Sequence, residues 1–148
     1  MKLDLSALRD AIAALEKSLG YLRCELATDP NLYEQFRAAS VQGFEFTYEV
    51  AYKMIKRQLK QLATNPSNVD AMTYMQLMRS ADEAGLMVDV PRFRNYRDKR
   101  KLTGDTCNNK RAEEIVSVID DFVRDARFLL SELESRNRAR AVIFAGFG

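Results

Sequence analysis

Residues 42–62, QGFEFTYEVAYKMIKRQLKQL, decide the fold. Phe44, Tyr48, Ala51, Ile55, Leu59 and Leu62 recur at three- and four-residue steps, so an α-helix gathers them into one apolar stripe. Phe46, Val50 and Met54 lie beside that stripe, and a helix apolar over so wide an arc needs neighbours on more than one side. The spacing predicts the central helix of a bundle. The polar residues fill the remaining arc: Glu49 stands four residues before Lys53, the favourable order for a helix pair, and Lys56, Arg57 and Lys60 weight the C-terminal half.

Toward the N-terminus, Leu5, Leu8, Ile12, Leu15, Leu19, Leu22 and Leu26 form an unbroken heptad seam, which predicts a helix over about residues 4–27 with Asp4 or Ser6 as N-cap. Each leucine fully buried contributes about 1.5–3 kcal/mol, so the seam must pack on another helix of this chain or of a second copy. Thr28 to Pro30 breaks it, and Asn31 with Glu34 has capping-box spacing, which starts the central helix well before Gly43.

Toward the C-terminus, a polar connector at residues 64–68 ends the central helix. A third helix is expected over about residues 70–84, carrying Met72, Met75, Leu77, Met78 and Ala81 and stopping at Gly85. Its methionines suit either an adaptable binding surface or irregular gaps between helices. Asp89 then caps a short basic helix that tolerates Pro91 in its first turn. Asn108 or Asn109 caps the last long helix, where Ile115, Ile119, Phe122, Ala126, Leu129 and Leu133 make a second seam. Residues 141–148 either fray or dock Phe144 and Phe147 on a partner, and the bundle domain is set at residues 1–140. The expectation is an all-α, up-and-down bundle of four main helices plus the short basic one. Two seams and a doubly apolar central helix also predict a homodimer.

At 148 residues the chain can bury a sizeable core without staples, so Cys24 and Cys107 are expected as reduced thiols. No stretch is long and apolar enough for a membrane span or signal core, and a cytoplasmic protein is expected. A net charge of +2 argues against a surface that grips nucleic acid all over. The absence of histidine removes the commonest general acid/base near neutral pH and the commonest transition-metal ligand. No metal or cofactor is expected.

The segment that reads as more than scaffold is residues 93–108, FRNYRDKRKLTGDTCN. Between Arg92 and Lys101 there are six cations, Arg92, Arg94, Arg97, Lys99, Arg100 and Lys101, against Asp98 alone. With the Thr-Gly-Asp-Thr turn at a helix junction they could hold a phosphate or nucleotide, and Phe93 or Tyr96 could stack a base. The competing reading is a solvated basic helix whose aromatics are core anchors. Glu45, between two phenylalanines, is expected to make a structural hydrogen bond.

The run GFEFTYEVAYKMIK, residues 43–56, with Arg37 ahead of it, resembles the hallmark segment of the nucleotidyltransferase substrate-binding proteins, a branch of the HEPN superfamily. Arg79, Ser80, Ala81, then Ala84-Gly85-Leu86, Asp89, Phe93, Tyr96 and Arg100 are similar to that family's second block, and Ala112-Glu113-Glu114-Ile115 continues the likeness. Residues 100–108, RKLTGDTCN, resemble its closing motif, an arginine followed by histidine and tyrosine. The resemblance implies a separately encoded minimal nucleotidyltransferase as partner. In ribonuclease members the arginine holds the phosphate and the histidine transfers the proton. Here the histidine position is Asp105, the tyrosine position is Cys107 and the polar residue after the arginine is Lys101. An aspartate with a pKa near ~3.9 is a poor general acid at pH 7.

The expected function is therefore a non-catalytic binding subunit that docks the nucleotidyltransferase and helps bind its nucleotide or acceptor. The alternatives are a HEPN-type ribonuclease and a nucleotide or nucleic-acid binder. Candidate binding residues are Arg79, Tyr96, Arg97, Arg100, Lys101, Thr103, Asp105 and Thr106.

Overall fold

The computed structural model of the chain describes residues 2–104 and 108–147, with side chains up to 139. Among these are six α-helices and no strand: α1 (Ser6–Leu22), α2 (Pro30–Leu62), α3 (Ser67–Asp70), α4 (Tyr74–Glu83), α5 (Val90–Lys101) and α6 (Asn109–Phe147). The expected all-α bundle is what forms. Helix α2 is its axis, packing on α1 along most of that helix and touching each of the other helices.

Both seams close within one chain. Leu8, Ile12 and Leu15 of α1 and Ile115, Ile119, Phe122 and Leu129 of α6 are buried together with Phe44, Ala51 and Ile55 of α2. The apolar surplus that pointed to a second copy is thus largely used inside the monomer. Gly43 sets the spacing of α1 and α2, because a Cβ there would lie 3.1 Å from Leu15 Cδ1. Thr47 completes the contact by donating its hydroxyl to the Ala11 carbonyl, 3.2 Å away.

The departures from expectation lie at helix ends. Helix α1 stops at Leu22 and the chain turns through a 3-10 segment, Glu25–Thr28, so the heptad phase is lost and Leu26 is 57% exposed. Helix α2 is capped by Asp29 rather than by an Asn31–Glu34 box. The Asp29 carboxylate accepts from the Asn31 and Leu32 amides at 2.8 and 3.2 Å, and Pro30 takes the first helical position, where a missing N–H costs nothing. The expected third helix is divided into α3 and α4 because Thr73 forms a capping box with Gln76, each side chain accepting from the other's backbone amide.

Gly85 does stop α4. Its φ of +78° admits the Schellman bonds, Gly85 N–H to Asp82 O and Leu86 N–H to Ala81 O, and drops Leu86 into the core. Asp89 caps α5 through the Arg92 amide at 2.9 Å, and Asn108 caps α6 through the Arg111 amide at 3.2 Å. Helix α6 continues to Phe147, while the side chains of Phe144 and Phe147 lie outside those described. No helix among the described residues is long and apolar enough to cross a membrane.

Candidate functional site

Helix α5 is fixed by the face that carries Phe93 and Tyr96. Their rings meet edge to face at 5.3 Å, and Tyr96 meets Phe122 of α6 in the same way. The Tyr96 hydroxyl, in a residue only 1% exposed, donates to Asp125 Oδ2 at 2.5 Å. Arg92 adds a two-pronged bond to the same carboxylate, Nε to Oδ2 at 2.9 Å and Nη2 to Oδ1 at 2.7 Å. Burial first, and the Asp125 carboxylate second, push the Tyr96 phenol well above its ordinary range. Tyr96 is a core anchor and has no face free for a base, and Arg92 is committed to holding α5 on α6.

One turn further along that face, Arg97 and Arg100 press against α4 and α2. Together with Lys101 they border an open groove of ≈ 440 Å³ whose other walls are Tyr48, Glu49, Tyr52 and Tyr74. The tyrosines form a connected floor. The Tyr48 hydroxyl donates to the Tyr74 oxygen and the Tyr74 hydroxyl to the Phe93 carbonyl, each at 2.9 Å, while the Tyr52 ring stacks on Tyr74 at 6.2 Å. Burial pushes both the Tyr48 and Tyr74 phenols upward, so they stay protonated at neutral pH and act as hydrogen-bonding groups rather than bases. The Arg97 guanidinium lies 4.4 Å over the Tyr74 ring, a cation–π contact that holds the cation at the groove edge.

Arg100 is held by two acids of α2. Its Nε donates to Glu49 Oε1 at 2.7 Å, and its Nη2 lies 3.3 Å from Glu45 Oε1. Glu45 thus makes an ion pair, where a structural hydrogen bond was expected. Lys99 is 4.0 Å from Glu114, while Lys101 and Arg94 are exposed. A groove with tyrosine walls and a rim of cations can stack a planar ring and pair with an anion.

Of the residues proposed from sequence, Arg97, Arg100 and Lys101 come together in this groove. Thr103 is buried and donates its hydroxyl to the Arg100 carbonyl at 2.7 Å, ending the helix rather than facing a ligand. Arg79 is exposed on α4 and does not line the groove. Asp105, Thr106 and Cys107 lie outside the described residues, and Cys24 is a free thiol. Sequence reasoning missed Glu49, Tyr52 and Tyr74. Tyr52 was findable, four residues after Tyr48 and on the flank of the same stripe.

A second polar assembly joins α2 to α6. Arg37, almost fully buried, donates to Asn109 Oδ1 at 2.6 Å and to Glu113 Oε1 at 3.0 Å, and the Tyr33 hydroxyl donates to the same Glu113 oxygen at 2.5 Å. Burial works against the charge on Glu113, but these hydrogen bonds hold its carboxyl below the usual range.

The description "Nucleotidyltransferase substrate binding protein like" is that of the family whose model matches residues 3–135. A solved Haemophilus influenzae structure, described as revealing the fold of a substrate binding domain of a nucleotidyltransferase, superposes with a TM-score of 0.84 at 32% identity, covering 88% of this chain and 99% of that one. The Haemophilus influenzae protein named probable ribonuclease HepT is 34% identical over 140 residues, 93% of this chain and 96% of the relative. That likeness corrects the expectation that the chain is not an enzyme, which rested on Asp105 in the histidine position. That expectation weighed the absence of an imidazole alone, and the arginine of the motif is present as Arg100.

Proposed function

We propose, because the chain belongs to the nucleotidyltransferase substrate binding protein like family, that it docks a separately encoded minimal nucleotidyltransferase and helps bind that enzyme's nucleotide or acceptor. The observation that carries this reading is the agreement of one family over residues 3–135 with a solved substrate-binding-domain fold that matches along almost its whole length. Within it, Arg97, Arg100 and Lys101 hold the ligand's phosphate, and Tyr52 offers its ring to the base. Two copies pair through the α1–α2 face, where Phe46 stands 61% exposed beside an apolar cleft lined by Ala7, Ala14 and Gly43. The test is co-expression with the nucleotidyltransferase encoded beside it. The two should elute as one complex whose nucleotide affinity exceeds that of either alone. Separate elution, with no binding by calorimetry, refutes the reading.

A second reading, carried by the relative named a probable ribonuclease, is RNA phosphodiester cleavage with Arg100 on the phosphate. Cleavage of cellular RNA by the purified chain, lost in Arg100→Ala, supports it. RNA left intact by the purified chain removes it.

A further inference from the structure

The groove gives a planar ring one place to lie. Tyr74 is flanked by the Arg97 guanidinium, 4.4 Å over its ring, and by Tyr52, whose ring stacks on it at 6.2 Å, so the free aromatic face is the outer face of Tyr52. Glu49 stands three residues before Tyr52 on α2, a neighbouring position on one side of the helix, and lines the same groove. Its Oε1 accepts from Arg100 Nε at 2.7 Å, while its Oε2 accepts no hydrogen bond among the described residues. A carboxylate has about four acceptor positions and no donor, so the edge of a ring lying on Tyr52 meets acceptors only. The ion pair with Arg100 stays intact and holds that carboxylate in place, because Arg97 and Lys101 remain at the groove edge for the phosphate.

We infer that the groove selects guanine, with Glu49 as the residue that reads the base lying on Tyr52. This rests on the reading that the groove holds a nucleotide. Guanine is the standard base that sets two donors side by side on its Watson–Crick edge, N1–H and the 2-amino group, matching the two oxygens of one carboxylate. Adenine and cytosine each place a ring-nitrogen acceptor beside their amino group, and uracil places its single N–H between two carbonyls. With any of these three, a carboxylate that takes one donor turns its charge on a neighbouring lone pair. The Glu49 side chain is 42% exposed, so water competes for the contact and the discrimination is modest. Guanine in a free nucleotide and guanine in an RNA strand present the same edge, and both fit this chemistry.

The experiment titrates the full chain by calorimetry at pH 7.5 with guanosine, inosine and uridine 5′-monophosphates. Inosine differs from guanosine by loss of the 2-amino group alone, with the same purine and the same phosphate, so the ratio of their affinities reports the amino contact. The wild type should prefer guanosine over inosine by about threefold to tenfold, the span of one net hydrogen bond, and should bind uridine more weakly than either. Glu49→Ala alters the charge that every phosphate meets alike, and the guanosine-to-inosine ratio should fall to about one. Thermal melts establish that each variant is folded. The pentaribonucleotides UUGUU and UUIUU tell the two sources apart: tighter binding of UUGUU than of guanosine monophosphate assigns the base to a strand, equal binding assigns it to a free nucleotide, and either supports guanine. A wild-type ratio near one, or a ratio unchanged in Glu49→Ala, overturns the assignment of guanine while binding itself leaves the groove reading standing. Failure of every probe to bind, or affinities indifferent to Arg97→Ala, overturns the groove reading and the assignment with it.

Discussion

Asp125→Ala is the substitution that tests how α5 is held. The Asp125 carboxylate is 5% exposed and accepts three hydrogen bonds, two from Arg92 and one from Tyr96. Its removal leaves the Tyr96 hydroxyl sealed in the core without an acceptor, a loss of about 1–3 kcal/mol. Arg92 contributes less, because its side chain is 39% exposed, still has Asp89 at 3.3 Å and can rehydrate. A loss of about 2–4 kcal/mol in all is expected, read by urea unfolding followed by circular dichroism. Tyr96→Phe alone should cost about 1 kcal/mol, since the Arg92 fork still satisfies the carboxylate. In the double variant the orphaned hydroxyl is gone, so the two losses should fall short of additivity by about 1 kcal/mol. An Asp125→Ala protein within about 0.5 kcal/mol of wild type, or strict additivity, refutes the account of α5 as pinned by this carboxylate.

Gly85→Ala places a Cβ on a residue at φ +78° and close to Arg136 Nη2, so a loss of about 1 kcal/mol or more is expected in the same assay. Folding lowers the Glu113 pKa from its ordinary 4.5, so its contribution is complete above about that pH and is lost as the pH falls through the folded value. Unfolding free energies measured between about pH 6 and about pH 3 should therefore fall less steeply in Glu113→Gln than in wild type. Pairing of two copies through the Phe46 face predicts a light-scattering mass of twice 16.9 kDa for the wild type and a shift toward 16.9 kDa in Phe46→Ser. A wild-type monomer at all concentrations removes that pairing.

The fold was legible wherever periodicity carried it. The leucine seam of α1, the stripe of α2 and the seam of α6 are buried where their spacing placed them, apart from Leu26 and Leu62 at the ends, because a three- and four-residue repeat admits one solution in water. The helix ends were less legible, since two local signals competed at each. At Asp29-Pro30-Asn31 the capping-box spacing of Asn31 and Glu34 lost to an aspartate before a proline, which satisfies two amides and wastes none. At Thr73 the box to Gln76 cuts the helix that the methionine spacing predicts. The groove was half legible. Its cations lay in an obvious basic run, but Tyr48 was absorbed into the core stripe, Tyr52 and Tyr74 stood outside every stripe, and no local rule reports that Arg100 meets a glutamate 51 residues earlier.

The position of those cations follows from the core rather than from the charge run. At 100° per residue, Arg97 and Arg100 fall on the same face of α5 as Phe93 and Tyr96, one turn onward, whereas Arg94 falls toward solvent. Burying the two aromatics in the core therefore lays Arg97 on the Tyr74 ring and brings Arg100 to the acids of α2. Ligand binding and stability are thereby coupled in one direction. Loosening α5 through Asp125→Ala should weaken the uridine 5′-monophosphate affinity along with the fold, whereas Arg97→Ala should reduce that affinity with stability changed by less than about 1 kcal/mol, a cation–π contact near the surface contributing no more. Equal losses of stability in the two variants would place Arg97 in the scaffold and leave Lys101 as the groove's outer cation.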